Sequence, residues 1–154
     1  MRIVHYAAEG WGVGELVFEG EVLVHHELPR ARAGPSNRLL LGHPLGERLR
    51  AYFAGEPVSF ADVALDDEGA SDFQRSVAEA LRAVPYGEVV TYGELAALAG
   101  HPRAQRAAGT FCAHNRFPIF VPCHRVVAAD GIGSYGSSGV AYKRRLLELE
   151  RVVL

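Results

Sequence analysis

At 154 residues the chain has the length of one ordinary domain or two small ones, and its 49% apolar content suffices for a core without disulfide or metal staples. No apolar run is long enough to span a bilayer, and the opening Met1-Arg2-Ile3-Val4-His5-Tyr6 meets Glu9 with no signal-peptide core, so a cytoplasmic protein with no membrane attachment is expected. The net charge of −2 hides an asymmetry: residues 1–72 hold 12 acidic and 6 basic side chains and the remainder 6 and 10, which makes the second half the candidate to meet a polyanion.

Taken in order, residues 2–6 read as a strand. Glu15–Glu19 and Val22–His26 read as a hairpin about Gly20-Glu21, with Leu16, Phe18, Val22 and Val24 at its apolar positions. Pro29–Asn37 reads as a loop. Pro44 opens a helix whose Leu45, Leu49, Tyr52 and Phe53 share a face until Gly55-Glu56-Pro57 stops it, and Val58–Leu65 reads as a further strand. These make a small α/β domain over residues 1–66. The acidic, aperiodic stretch that begins at Asp66-Asp67-Glu68 suggests a linker at 67–72 ahead of a second domain at 73–154.

Ser71-x-x-Gln74 is a capping-box pattern, and Phe73, Val77, Leu81 and Val84 follow it at helical spacing. Pro85-Tyr86-Gly87 reads as a turn and Val89-Val90 as a short strand. Thr91-x-x-Glu94 is a second capping box, with Leu95 and Leu98 as the apolar face of a helix that Gly100 closes. Pro102 then starts another helix, to about Ala113, after a joint of only Gly100 and His101. So tight a joint between two short helices matches a helix-turn-helix, although a plain helical corner in a core gives the same pattern. On the second helix Ala104, Gln105, Ala107, Ala108 and Gly109 carry little bulk beside Arg103 and Arg106. Small residues permit close backbone approach, which favours a minor groove read by shape; tight helix packing would use them equally well.

Ile119–Val127 places Cys123-His124-Arg125 between two short apolar segments of β type. Pro122 should end or bulge the first of them and present Cys123 at a strand end. A lone cysteine is more often a small buried hydrophobe than a nucleophile. His124 and Arg125 favour the second reading, because cationic or proton-accepting neighbours lower a thiol pKa. In an extended strand adjacent side chains point apart, so His124 would reach Cys123 only through a local turn or a water. Cys112, on an Ala-rich helix, reads as packing, and without a CxxC no zinc ribbon is suggested. Ala129-Asp130-Gly131 is a turn, Gly133–Gly139 a Gly/Ser loop around Tyr135, and Val140–Glu150 a final helix bearing Leu146 and Leu147.

Pro122-Cys123-His124-Arg125-Val126-Val127, with Thr91-Tyr92-Gly93-Glu94-Leu95-Ala96, Arg106, Asn115 and the Lys143–Glu150 segment, resembles the O6-alkylguanine-DNA alkyltransferases over about residues 71–150. The resemblance implies a ribonuclease-H-like α/β domain followed by a mainly α, winged-helix-like domain that binds double-stranded DNA containing alkylated guanine through the minor groove. It further implies a monomer that needs no cofactor and makes a single, irreversible alkyl transfer. By position, Cys123 would be the acceptor, His124 would take its proton through a water, Glu150 would hold His124, and Tyr92 would protonate the departing guanine. Arg106 would fill the space of the flipped base, with Ala104, Gln105, Ala107, Gly109 and Thr91 facing DNA. Asn115 would brace the active-site turn, and Val126 and Tyr135 would line the pocket. The zinc that some members carry would need an N-terminal cysteine beside His5, His25 and His26, and none precedes Cys112.

The chemistry agrees with the residues. Displacing guanine from a saturated carbon calls for a soft nucleophile, and thiolate is the best a side chain offers. An atom inside a duplex is reached only by flipping, which costs a few kcal/mol that a wedge such as Arg106 can offset. A non-catalytic DNA-binding module and a Cys-His-Glu hydrolase are the competing readings. The first would gain no alkyl mass, and the second would be indifferent to DNA.

Overall fold

Alternation builds the first sheet of the computed structural model, which describes residues 1–31 and 42–153. Strand β1 (Arg2–Ala8) buries Val4, Tyr6 and Ala8, and β2 (Gly12–Glu19) buries Leu16 and Phe18. With β3 (Val22–Arg30) they form an antiparallel sheet in the order β1-β2-β3. All three strands run longer than expected. The hairpin register sets Phe18 opposite Leu23 and Leu16 opposite His26, with an irregularity between, so Leu23 and His26 point inward in place of Val22 and Val24. A bulge of this kind shifts the inward set by one residue.

Pro29 and Arg30, expected in a loop, close β3, and residues 32–37 of that expected loop lie outside the described residues. Helix α1 (Pro44–Phe53) starts at its proline, is capped by His43, and packs Leu45, Leu49, Tyr52 and Phe53 inward. The strand expected at Val58–Leu65 does not form. Phe60 packs on Tyr52, Val63 N–H closes a turn on the Phe60 carbonyl, and Arg48 holds Asp62 at 2.7 Å. Only a single bridge, Leu23 to Leu65, remains of the pairing. The N-terminal histidines have partners of their own: His26 meets the Tyr6 hydroxyl at 2.6 Å, His25 meets Glu27 and His5 meets Glu15.

The chain divides into two units, Met1–Asp66 and Asp67–Leu154. The second is mainly helical. Helix α2 (Asp72–Arg82) begins at a complete Ser71/Gln74 capping box, and Val77 and Leu81 are its buried stripe. A two-residue strand β4 (Val90–Thr91) leads into α3 (Tyr92–Leu98), itself started by a complete Thr91/Glu94 box. Helix α4 (Gln105–Ala113) packs against α3.

Two expectations fail around this helix pair. Leu98 is 63% exposed, and Ala96 takes the buried place beside Leu95. Helix α4 starts at Gln105, not Pro102, because His101–Ala104 closes a turn of its own, with Ala104 N–H on the His101 carbonyl. Strand β5 (Val126–Val127) lies parallel to β4, Val90 beside Val126 and Thr91 beside Val127. Helix α5 (Val140–Leu149) ends the unit. Among the described residues no helix is long and apolar enough to cross a membrane.

Candidate active site

The backbone before the thiol is wound, not extended. Val121 N–H bonds the Phe117 carbonyl, and Ile119 takes φ +75°, a left-handed conformation that costs a β-branched residue on the order of 1–3 kcal/mol. Pro122, at φ −79° and ψ 68°, centres a three-residue turn in which Cys123 N–H reaches the Val121 carbonyl. Cys123–Arg125 is then one turn of 3₁₀ helix. The expected β segment before Cys123 is thus absent, and the objection that His124 must point away from its neighbour falls with it. Asn115 ties the turn together. Its amide nitrogen donates to the Val121 carbonyl at 2.8 Å and to Sγ of Cys123 at 3.2 Å, while its oxygen accepts from Phe117 N–H.

Cys123 is 3% exposed. Burial pushes its thiol well above the ordinary range, and the neighbouring Cys112 adds to that through a hydrogen bond and its charge; Asn115 and Lys143 pull the other way without prevailing. The expectation that His124 and Arg125 acidify the sulfur is therefore wrong, because both side chains are engaged with Glu150. Cys112, expected as packing, is a half-buried free thiol near the end of α4.

Glu150 is fully buried and saturated. It accepts from His124 Nε2 at 2.6 Å, from Arg125 Nε at 2.9 Å and Nη2 at 3.0 Å, and from Gly87 N–H at 3.1 Å. Arg125 also donates Nη1 to the Val84 carbonyl at 2.8 Å. Burial alone would raise the Glu150 carboxyl, but the hydrogen bonds and charges of His124 and Arg125 outweigh it and hold the group well below the usual carboxylate range. Burial lowers His124, aided by the charges of Arg125 and Lys143, against the opposing pull of Glu150. The pair rests as a carboxylate beside a neutral imidazole. With Nε2 committed to Glu150, Nδ1 is the nitrogen left to take a proton.

The β4–β5 pairing carries the start of α3 to this turn. Burial raises Tyr92, with the charge of Cys112 adding to it and Ser134 opposing, so its hydroxyl keeps its proton at neutral pH. Lys143 lies behind it, fully buried, with Nζ donating to the Val126 carbonyl at 2.5 Å and the Ser134 carbonyl at 3.0 Å, and 5.8 Å from the Tyr92 ring centre. Burial brings Lys143 down to about 8. Tyr135 has a buried hydroxyl with no hydrogen bond from the protein, a polar atom that a ligand would satisfy, and Val126 is fully buried. Sequence reasoning missed Lys143. The signal was present: Lys143, Leu146, Leu147 and Glu150 fall at helical spacing, so two charges occupy an apolar stripe.

On α3–α4 the structure leaves Gln105, Arg106 and Ala107 exposed, with Thr91, Ala104 and Gly109 partly so. Ala108, expected on that surface, is fully buried. Arg125 is drawn inward to the Glu150 cluster, while Arg103, Arg106 and Arg116 are exposed. Among the described residues no group of three or more His, Cys, Asp or Glu is placed to hold a metal ion.

Residues 72–152 match the family model of the 6-O-methylguanine DNA methyltransferase DNA-binding domain. A methylated-DNA–protein-cysteine methyltransferase of Methanopyrus kandleri is 47% identical over 124 residues, covering 80% of this chain and 91% of the relative. One from Mycobacterium bovis is 41% identical over 157 residues, covering 97% and 93%. Among solved structures, Mycobacterium tuberculosis OGT in complex with DNA superposes with a TM-score of 0.79 at 38% identity, over 98% of this chain and 93% of that one. The O6-methylguanine-DNA methyltransferase of Pyrococcus kodakaraensis superposes with a TM-score of 0.74 at 28% identity, over 98% and 100%.

Proposed function

The chain belongs to the 6-O-methylguanine DNA methyltransferase family, and from that membership we propose that it repairs DNA by moving the alkyl group of O6-alkylguanine onto Sγ of its own Cys123. The observation that carries the choice of sulfur is the Asn115 amide donating to Cys123 Sγ on the same tight turn that holds His124 against Glu150.

In this reading the resting sulfur is a thiol, since burial opposes its ionisation. His124, kept neutral by its surroundings, takes the thiol proton on Nδ1 by way of a water, and the Glu150 carboxylate stabilises the imidazolium that results. Sγ then forms a bond to the alkyl carbon as the carbon–O6 bond breaks, and its electron pair leaves with guanine. Tyr92, which retains its proton, supplies one to the departing base. Asn115 braces the turn throughout, while Val126 and Tyr135 wall the pocket. The product is a thioether with no route back to thiolate, so each chain acts once.

The partner is double-stranded DNA carrying alkylated guanine, met in the minor groove by α3–α4. Thr91, Ala104, Gln105, Ala107 and Gly109 allow close approach, and Arg106 occupies the stack after the base is flipped. The protein acts as a cytoplasmic monomer.

Incubation with a duplex containing one O6-methylguanine should add a single methyl mass per chain, localised to Cys123, and then stop. Cys123→Ser should add none and still bind the duplex. A wild-type chain that binds the duplex with no gain of mass would identify a reader of alkylated bases, and repeated turnover would overturn the single-use chemistry.

A further inference from the structure

Two residues one turn apart on α4 meet the start of α3. A Cβ at Gly109 would lie 3.8 Å from Cδ1 of Tyr92, and Oε1 of Gln105 lies 3.4 Å from the point where a Cβ at Gly93 would stand. Gln105 is exposed to solvent, yet its side chain reaches back over the first turn of α3 instead of trailing away from the helix pair. The first turn of a helix offers backbone N–H groups that its own carbonyls do not reach, so the amide oxygen belongs on that side and Nε2 faces outward as a donor. Among the residues assigned above to the DNA face, no other supplies such a group. Ala104, Ala107 and Gly109 have no polar side chain, Arg106 is committed to the gap in the stack, and Thr91 Oγ1 is engaged as the cap of α3, accepting from Glu94 N–H.

We propose that Gln105 reads the minor-groove edge of the base pair next to the damaged guanine and favours A·T over G·C there, a role that rests on the chain repairing alkylguanine from that groove. In the minor groove an A·T pair presents acceptors alone, adenine N3 and thymine O2, whereas a G·C pair adds the guanine N2 amino group, a donor. Nε2 finds a partner on the first and meets another donor on the second. Gln105 directly precedes Arg106 in the chain, so while the guanidinium fills the space of the flipped base the carboxamide is held level with a neighbouring pair. Small residues alone would sense only the width of the groove. The amide adds a chemical preference, and one hydrogen bond made or stranded is worth about two- to tenfold in affinity or rate.

Single-turnover transfer and duplex affinity would be measured for the full-length protein on duplexes with one O6-methylguanine, in which the pair on each side of the lesion in turn is A·T, G·C, inosine·C or 2,6-diaminopurine·T. Inosine·C lacks the N2 amino group of G·C, and diaminopurine·T adds one to A·T. Wild type should favour A·T and inosine·C over G·C and diaminopurine·T by about two- to tenfold on one side of the lesion. Weakly paired neighbours also ease flipping, so the wild-type preference is divided by that of Gln105→Ala and by that of Gln105→Met, which keeps the length and loses the amide. Both variants should shed the part of the preference that follows the N2 amino group. A wild type indifferent to that group, or variants that retain its full preference, would overturn the role of Gln105 and leave the repair reaction standing. Absence of methyl transfer from every duplex would overturn the repair reading, and this role with it.

Discussion

Arg125 grips Glu150 with two nitrogens, Nε to Oε1 at 2.9 Å and Nη2 to Oε2 at 3.0 Å, and the same carboxylate holds the imidazole of Arg125's own neighbour, His124. A two-pronged contact fixes orientation as well as charge. The carboxylate thus tethers α5 to the 3₁₀ turn through two consecutive residues, and the Val84 carbonyl joins the end of α2 to the same guanidinium. Removing one partner strands a buried charge. Glu150→Gln should therefore destabilise the protein by about 3–5 kcal/mol in urea unfolding. Arg125→Lys, which keeps the charge and loses the fork, should cost less, and a larger loss for it would refute the clamp.

Acid should weaken this cluster in two stages. His124 and Glu150 are both held below their ordinary values of 6.5 and 4.5, so on acidification the unfolded chain takes up protons first. Stability is complete above about 6.5 and declines as pH falls, first through the histidine and then through the carboxylate. Urea midpoints from pH 8 down to pH 4 should trace that decline, and His124→Gln should flatten only its upper stage. A midpoint that rises between pH 6.5 and 5 would reverse the assigned direction for His124.

Local patterns were the most legible part of the sequence. Both capping boxes, the proline start of α1 and the Gly20-Glu21 hairpin turn depend on residues within a few positions of one another, and the structure has them all. Non-local partnerships were not legible. The Val58–Leu65 strand was lost because Arg48 and Tyr52, on α1, engage Asp62 and Phe60. Val22 and Val24 gave way to Leu23 because cross-strand register, which hydrophobic alternation alone does not fix, decides the inward face. In the site, Glu150 was assigned to His124 through the family resemblance; its fourfold hydrogen bonding depends on chain segments more than 20 residues apart. Arg125 read as a cationic neighbour of the thiol and proved to be an interior partner of Glu150. Burial, invisible in a list of neighbours, reverses the expected acidity of Cys123.

Arg106 has an exposed side chain on the first turn of α4, beside the small residues of that helix. If it occupies the gap left by a flipped base, its removal should matter only where there is a stack to hold open. Arg106→Ala should slow methyl transfer from duplex DNA by at least about tenfold, within the few kcal/mol that flipping costs, and leave transfer from free O6-alkylguanine base near wild type. Equal losses on both substrates would place the residue in pocket assembly instead.

The loop that carries Tyr135 passes close to Tyr92 at one glycine. Gly133 has φ +79°, and a Cβ there would lie 3.3 Å from the Tyr92 hydroxyl and from Lys143 Nζ, and 3.2 Å from the Ala128 backbone nitrogen. Gly139, at φ +88° in the same loop, has open space around it. Alanine at either position pays for a positive-φ backbone, on the order of 1–3 kcal/mol. Only Gly133→Ala should also displace Tyr92, the tyrosine proposed to protonate the leaving base. The pair therefore separates backbone strain from crowding. Both variants should lose thermal stability, while single-turnover transfer slows at least about tenfold in Gly133→Ala alone, a barrier change of about 1.4 kcal/mol. Equal transfer rates would mean that the position of Tyr92 does not limit the chemistry.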